Sequence, residues 1–242
     1  MRLASPTCKE TRKNREEENI PPDFYSKAVE YWYNIDPTLD GMLGGLTQTH
    51  EPDIKSSESI LSRFGPTRMD VALDCGAGIG RVTKHLLLPH FKTVDMVELT
   101  QKFLDVSKTY IGEEGDKRIG NRFCFGLQDF TPQEGRYDVI WVQWVIGHLT
   151  ISATTDFFRR CVKGLRPPNA EDARRSIIVL KDNVVLSDTP DFDETDSSFM
   201  RTHKELLQIF EEAELKVILD EQQHMPRGIC PVYAFVLVPK HE

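Results

Sequence analysis

A glycine-rich segment in the first third of the chain carries the residue types best suited to hold a nucleotide-like cofactor. Gly76, Gly78 and Gly80 alternate with other residues, directly after a short apolar run and directly before a helix-like stretch. A strand, a glycine turn and a helix start in this order let backbone amide groups approach a ligand closely. Asp74 precedes the turn, and Glu98 ends the next apolar run, where a carboxylate can accept hydrogen bonds from both hydroxyl groups of a ribose. The pattern predicts a cofactor-binding βαβ unit, and its alternative is a tight turn without a ligand.

The spacing of this segment differs from that of a nicotinamide-binding turn. Arg81 stands where a G-x-G-x-x-G turn has its third glycine. The strand, glycine turn, helix and terminal acid resemble the first half of a class I S-adenosylmethionine-dependent methyltransferase. We therefore expect S-adenosylmethionine as the cofactor, although a cofactor site alone does not identify a reaction.

The elements that must position these residues follow from an alternation of short apolar runs with helix-like segments, which is typical of a parallel sheet covered on both faces. The expected fold is α/β: a class I methyltransferase (Rossmann-like) fold with a mostly parallel seven-stranded sheet flanked by helices and an N-terminal helical cap. Right-handed crossovers would bring Asp74, Glu98, Gln128, Gln143 and Asp182 to one edge of the sheet. Strands are predicted at 70–75, 93–98, 121–126, 137–143, 176–182, 215–220 and 232–238, and helices from 21–23 onward and at 54–64, 81–88, 100–111, 152–164 and 202–213.

Length and composition favour one soluble domain. A chain of 242 residues can bury one sizeable core, and no run of about 18 apolar residues predicts a membrane span. The net charge of −8 argues against nucleic acid as a partner. Five scattered cysteines without C-x-x-C spacing favour a reducing compartment, and they predict neither a disulfide framework nor a metal site.

The two ends of the chain differ in character. Residues 1–20 are polar and charged without an apolar period, which predicts a disordered tail, and residues 21–242 are expected to form a single methyltransferase domain. The tail lacks the features of a secretory or mitochondrial signal. We expect a monomer in the cytoplasm, with the nucleus left open by a weak basic patch at residues 12–15.

Motifs distributed along most of the chain extend the resemblance to a narrower family. From residue 24 to 238 the sequence resembles the α-N-terminal protein methyltransferases, and the acidic residues 193–196 are most similar to the fungal members. This family methylates the free amino terminus of proteins that begin X-Pro-Lys or X-Pro-Arg after methionine removal. The segments that carry the resemblance are 31–32, 40–45, 73–81, 126–132, 141–149, 181–183 and 196–198.

The resemblance implies specific roles for residues of this chain. Arg81 would pair with the carboxylate of the cofactor, Glu98 would bind its ribose, and Gln143 would lie near its reactive centre. The implied cofactor-binding set is Gly76, Arg81, Glu98, Leu99, Thr100, Leu127, Gln128 and Gln143. The implied substrate-binding set is Trp32, Leu43, Trp144, Asp182, Asn183, Asp193 and Ser198.

Methyl transfer to an amine requires a free lone pair, and an α-amino group with a pKa of about 7.7–8.0 arrives mostly protonated at neutral pH. With the family as a guide, Asp196 and His148 are the candidate catalytic residues that accept this proton. The alternatives are a structural hydrogen bond for His148, a solvated loop for residues 191–196, and a helix cap at residues 196–198. The implied protein partners include ribosomal proteins.

The chain departs from the pattern of this family at two places, and two other functions remain as alternatives. A long charged segment at 167–175 replaces the short turn usual in the family, and we expect it on the surface away from the site. Cys230 stands where relatives often carry a substrate-binding Tyr, so we expect the pocket for the first residue of the substrate to differ here. The alternative functions are a small-molecule N-methyltransferase and a non-catalytic S-adenosylmethionine-binding reader of protein N-termini.

Overall fold

The structure is a computed structural model that describes residues 20–170 and 172–241. Apart from Ile20, the tail predicted to be disordered lies outside these residues. Within them the chain alternates strands with helices, as the sequence predicts. The strands are β1 (Val71–Cys75), β2 (Thr93–Glu98), β3 (Ile119–Cys124), β4 (Val139–Gln143), β5 (Ile177–Val185), β6 (Asp191–Asp193), β7 (Ser198–Thr202), β8 (Leu215–Gln222) and β9 (Val232–Pro239).

The helices flank the sheet and also precede it along the chain. Before β1 come α1 (Phe24–Asn34), α2 (Leu39–Met42) and α3 (His50–Phe64), which form the expected N-terminal cap. The segment after the glycine turn is helical from residue 81, forms a π-helical turn at Thr83–Leu87 and continues as α4 (Leu88–His90). The remaining helices are α5 (Gln101–Ile111), α6 (Glu113–Asp116), α7 (Ile151–Gly164) and α8 (His203–Glu212).

The main sheet of the described chain has the strand order β3-β2-β1-β4-β5-β9-β8. The pairs β1–β2, β1–β4, β2–β3 and β4–β5 are parallel, and β9 runs antiparallel to both β5 and β8. The fold expected from the sequence, a mostly parallel sheet of seven strands between helices, is therefore confirmed. A ligand site is expected where the order reverses, outside the carboxyl ends of β1 and β4.

Alternate residues of the central strands pack into two cores, one on each face of the sheet. Leu73 and Ile140 face the core that contains α7 and α8, whereas Ala72 and Trp141 face the core that contains α3. This alternation follows from the two-residue period of a strand. Because both faces are covered, β4 is buried along its whole length, and Trp141 is the core residue that its position in the strand predicts.

Two local differences from the sequence prediction bear on the site. The helix predicted at 54–64 begins four residues earlier, at His50, and thereby includes Asp53 in its first turn. The acidic segment after β5 forms a short antiparallel hairpin in which Asp193 pairs with Ser198. The cap of the last helix is Thr202, which forms a capping box with Glu205, so the cap suggested for residues 196–198 is wrong.

The charged segment 167–175 precedes β5 and therefore lies at the amino ends of the parallel strands, opposite the carboxyl ends. Its described residues contact the loop before β1, where Asp172 pairs with Arg68 at 2.9 Å. Among the residues that the structure describes, no helix is long and apolar enough to cross a membrane.

Candidate active site

A cleft opens at the carboxyl ends of β1, β2 and β4 and is covered on one side by α1. It brings together residues that stand more than a hundred positions apart in the sequence. Thr100 is buried behind the wall, where its amide donates to Glu98. Of the predicted site residues, the cleft is lined by Trp32, Gly76, Arg81, Glu98, Leu99, Leu127, Gln128, Gln143, Trp144 and His148.

The glycine turn has a backbone that other residues rarely adopt. Gly76, Gly78 and Gly80 have φ angles of +70°, +54° and +88°, in the left-handed region where a side chain adds strain. A Cβ atom on Gly78 would also lie 2.6 Å from Met42 Sδ. The backbone of residues 76–80 therefore forms a concave surface at the cleft wall, called the glycine cradle below. A larger residue in place of these glycines would fill it.

Glu98 fixes the shape of this cradle. Its Oε2 accepts from the amide of Gly78 at 2.9 Å, and its Oε1 accepts from the amide of Thr100 at 2.8 Å. Burial raises the pKa of Glu98, while these hydrogen bonds oppose the shift. Each carboxylate oxygen has a second lone pair, so the residue can still accept hydrogen bonds from two ligand hydroxyl groups.

Arg81 is held by a carboxylate that the sequence analysis did not single out. Its Nη1 donates to Asp53 Oδ2 at 2.8 Å, and Gln143 Nε2 donates to Asp53 Oδ1 at 2.8 Å. Asp53 also pairs with Lys181, which is fully buried. The sequence offered little signal for Asp53, because an acid in the first turn of a helix is usually an ordinary solvated residue.

Trp144 connects the two ends of the cleft. The Arg81 guanidinium lies 5.2 Å from the centre of its ring, a cation–π distance. Its φ angle of +51° is unusual for an aromatic residue and is typical of strain at functional sites. Its indole Nε1 is buried and has no hydrogen-bond partner among the described residues. Trp144 therefore lines the cleft and carries an indole donor that no described residue uses.

His148 makes a hydrogen bond through each ring nitrogen. The indole Nε1–H of Trp32 donates to Nε2 at 2.9 Å, and Nδ1 lies 3.3 Å from the carbonyl oxygen of Ser197. A tryptophan N–H can only donate, so Nε2 accepts and the proton of the neutral ring is on Nδ1. Burial lowers the pKa of His148, against the raising effect of nearby Asp196, and favours this neutral form.

The remaining predicted residues are not among those that line the cleft. Asp182 Oδ2 and Asp196 Oδ1 are buried without a hydrogen-bond partner in the described chain, and burial raises the pKa of Asp182 to about 6. Asp196 is close enough to act on the pKa of both Tyr31 and His148. Burial first and Asp196 second raise the pKa of Tyr31, whereas the pKa of His148 stays lowered because burial outweighs Asp196. The others are Leu43, buried after α2, Asn183 in β5, and Asp193 and Ser198, paired across the β6–β7 hairpin.

The hairpin packs against the segment that carries His148. A Cβ atom on Gly147 would lie 2.9 Å from the carbonyl oxygen of Phe199 and 3.3 Å from the Cβ of Ser198. Ser197, next to Asp196, has a φ of +55° and donates through Oγ to the carbonyl of Phe24 in α1. Helix α1 and the hairpin therefore meet around His148.

Three features of the structure match the chemical groups of S-adenosylmethionine. The glycine cradle leaves room for backbone contact, Glu98 retains acceptor capacity for a ribose, and Arg81 offers a guanidinium to a carboxylate. Among the described residues, no group of three or more His, Cys, Asp or Glu side chains is arranged to hold a metal ion. The fold and the site define a class I S-adenosylmethionine-dependent methyltransferase.

Comparison with known proteins narrows this class. Residues 21–238 match the family described as AdoMet dependent proline di-methyltransferase, and the chain belongs to this family. It is 50% identical over 220 residues to the N-terminal Xaa-Pro-Lys N-methyltransferase 1 of Mus musculus and to that of Homo sapiens. Each match covers 88% of this chain and 95% of the relative.

A solved structure shows the same fold. A SAM-dependent methyltransferase of Leishmania major superimposes with a TM-score of 0.81 at 30% sequence identity, over 88% of this chain and 82% of that one. The expected family and the expected dependence on S-adenosylmethionine are thereby confirmed.

Proposed function

We propose that this protein methylates the free α-amino group of proteins that begin Xaa-Pro-Lys or Xaa-Pro-Arg after methionine removal. The observation that carries the proposal is one continuous cleft that joins Arg81 and Glu98 to Trp32, Trp144 and His148. The residues of the cofactor end and the unpaired indole N–H of Trp144 thus share one wall. The relatives at 50% identity carry the name of an N-terminal Xaa-Pro-Lys N-methyltransferase, which supports the same activity.

At the cofactor end, the bound S-adenosylmethionine supplies an electrophilic methyl group on a sulfonium. Arg81 would bind the carboxylate of the methionine part, and Gly76 would give backbone contact. Glu98 would accept from the ribose hydroxyl groups, with Leu99 and Thr100 beside it. Leu127 and Gln128 would contact the adenine, and Gln143, whose Nε2 donates to Asp53, would lie near the reactive centre.

At the peptide end, the unpaired polar atoms match the groups of an N-terminal peptide. Trp144 Nε1–H can donate to a peptide carbonyl, and the carboxylates of Asp182 and Asp196 can accept from an ammonium. Buried polar atoms without partners are costly, so a ligand that satisfies them gains affinity. Leu43 and Trp144 would form an apolar and aromatic slot for the proline, and Trp32, Asn183, Asp193 and Ser198 would contact the rest of the peptide.

We assign the proton transfer first to Asp196. Its Oδ1 has a free lone pair, whereas the lone pair of His148 Nε2 already accepts from Trp32. An incoming amine must displace the Trp32 N–H before His148 can take a proton. Asp196 therefore accepts the proton in the first event, and His148 acts as the second acceptor after Trp32 turns away.

The same proposal includes the substrates, the number of methyl groups, the oligomeric state and the location of the protein. The physiological substrates include ribosomal proteins, and a primary amine takes up to three methyl groups whereas an N-terminal proline takes two. We further propose that the protein acts as a monomer in the cytoplasm, with the nucleus as a second location. The net charge of −8 is consistent with basic protein partners.

Mass spectrometry of two synthetic hexapeptides tests the proposal. One begins Ser-Pro-Lys with a free amine, and the other is identical but N-acetylated; each is incubated with the protein and S-adenosylmethionine. We expect the mass of one or more methylene units to be added to the free peptide alone. Methylation of a free small amine but not the peptide would support a small-molecule N-methyltransferase. Peptide binding without any mass gain would support a non-catalytic reader.

A further inference from the structure

A buried cluster of charges lies behind Arg81, and the steps proposed above do not use it directly. Asp53 in the first turn of α3 is 0% exposed and accepts from Arg81 on Oδ2. Lys181 of β5 is also 0% exposed, and its Nζ lies 2.6 Å from Asp53 Oδ1. A guanidinium, a carboxylate and an ammonium therefore meet at a place removed from water.

The Lys181 ammonium has no hydrogen left for a ligand. Its Nζ contacts the backbone oxygen of Asp53 at 3.0 Å, Ser56 Oγ at 2.8 Å and Ser57 Oγ at 2.9 Å, in addition to the Asp53 carboxylate. An ammonium has three hydrogens to donate. Lys181 can therefore influence a bound molecule only through its charge and through Asp53.

Arg81, in contrast, keeps part of its guanidinium free. Its described hydrogen bonds are made by Nη1, to Asp53 and, at 3.5 Å, to His50 Nδ1. The Nε and Nη2 groups make no hydrogen bond to a described residue, and Arg81 lines the cleft. A guanidinium held through one nitrogen can still present the geometry that a carboxylate ligand prefers.

The balance of charge around the cleft explains why an ammonium is buried at this position. Asp53 alone would cancel the charge of Arg81, and the carboxylates of Asp74 and Glu98 also line the cleft. Arg81 and Lys181 together stand against three carboxylates, whereas without Lys181 the Arg81 guanidinium alone would face all three. An anionic ligand group would then enter a more negative environment. An apolar residue could fill the space of Lys181 without the cost of burying a charge, so the charge itself needs a reason.

We propose that Lys181 is a positioning residue that offsets the charge of Asp53, so that Asp53 can orient Arg81 without cancelling its attraction for the carboxylate of the cofactor. The inference rests on the proposed function, because it assumes S-adenosylmethionine at the cofactor end of the cleft. Asp53 supplies the geometry, Lys181 supplies the balancing charge, and neither residue contacts the cofactor.

The test compares two probes that differ only in the carboxylate: S-adenosylhomocysteine and its decarboxylated counterpart. Binding of both is measured by calorimetry to the unchanged protein, to Lys181→Met and to the double variant Asp53→Asn/Lys181→Met. We expect Lys181→Met to bind S-adenosylhomocysteine about tenfold more weakly at an effective protein dielectric of about 20, with little change for the decarboxylated probe. The double variant removes one charge of each sign, so it should recover most of the preference for the carboxylate.

The matched control is Arg136→Met, which removes the cation that pairs with buried Asp95 at 2.8 Å, outside the cleft wall. It should alter the melting temperature but neither binding constant. Equal weakening of both probes by Lys181→Met, or a double variant that binds S-adenosylhomocysteine more weakly than Lys181→Met does, would overturn the inference.

Two further outcomes separate this inference from the function on which it rests. If Lys181→Met does not fold, as circular dichroism would show, the double variant is compared with the unchanged protein. Loss of its preference for the carboxylate probe would then refute the role of Lys181. If the unchanged protein binds neither probe, the proposed function fails together with the inference.

Discussion

The indole N–H of Trp32 donates to Nε2 of His148 over 2.9 Å, although the two residues stand 116 positions apart in the chain. The bond joins helix α1 to the segment that follows β4. It assigns the tautomer of His148 and covers the lone pair that a general base would need. A contact between helix α1 and the wall of the cleft therefore determines which groups are free to accept a proton.

Replacing Trp32 with Phe tests this relationship. The variant keeps an aromatic ring but removes the donor, so the neutral form of His148 loses a hydrogen bond that the protonated form cannot accept. We expect the pKa of His148, which burial now lowers, to rise in Trp32→Phe. Titration of the imidazole by NMR measures the shift, and an unchanged or lower pKa would contradict the hydrogen bond assigned here.

Replacing Asp196 with Asn tests the assignment of the first proton acceptor. The amide keeps the shape of the side chain but has little basicity, so we expect turnover to fall by about 10² to 10⁴ with a smaller loss of peptide affinity. Steady-state kinetics and peptide titration separate the two effects. Asp156→Asn on the outer face of α7 serves as the control and should retain full turnover. Equal turnover of Asp196→Asn and the unchanged protein would refute the role of Asp196 as the base.

Replacing Asp182 with Asn should stabilise the protein in a pH-dependent way. Burial raises the pKa of Asp182 from 3.8 to about 6 in the folded state, so the folded protein binds this proton more tightly than the unfolded chain does. Ionisation of Asp182 therefore lowers the free energy of unfolding progressively as the pH rises from 3.8 to about 6. Above that range the loss is complete and no longer changes with pH.

Asn carries no such cost. We expect the gain in free energy of unfolding from Asp182→Asn to be about 1 kcal/mol larger at pH 8 than at pH 5, while peptide affinity falls. Urea denaturation at both pH values measures the gain. A gain that is the same at both, or larger at pH 5, would show that Asp182 is not strained by burial.

The glycine cradle can be tested with a matched pair of variants. Gly78 and Gly135 both have left-handed backbones, with φ of +54° and +63°. A Cβ atom would lie 2.6 Å from Met42 Sδ at Gly78, but 3.7 Å from its nearest neighbour, Pro167 Cδ, at Gly135. Both alanine variants should therefore lose about 1–2 kcal/mol of stability from backbone strain, and only Gly78→Ala should also lose affinity for S-adenosylhomocysteine. Calorimetry with that probe checks the difference, and equal affinities would mean that the cradle does not shape the cofactor site.

The sequence predicted those parts of the site that depend on local order along the chain. The glycine turn at 76–80 and the acid that closes β2 follow from one βαβ unit, because the carboxyl ends of neighbouring parallel strands must meet. The alternation of apolar runs likewise predicted the strands, with errors of one to three residues at most ends. These features repeat a short-range pattern, so no distant contact was needed to predict them.

Other parts of the site depend on contacts that no local pattern records. The hairpin β6–β7 forms because Phe192 and Phe199 pack together and against Phe24 of α1, at ring-centre distances of 4.6, 6.3 and 5.6 Å. Read as sequence alone, the same acidic stretch looks like a solvated loop. Apolar packing has no preferred direction or sequence spacing, so the sequence does not show which distant aromatic residues will meet. The contact is known only once the position of α1 in the fold is known.

The chain by itself determined the fold, the glycine turn and the choice of candidate residues, since strand period, the glycine spacing and the order of the motifs are properties of the sequence. Only the tertiary structure showed that Asp53 holds Arg81, that Lys181 pairs with Asp53, and that Trp32 covers the lone pair of His148. Buried polar groups must find partners wherever the fold provides them. Their pairing is therefore decided by which elements come together in space, and spacing along the chain does not reveal it.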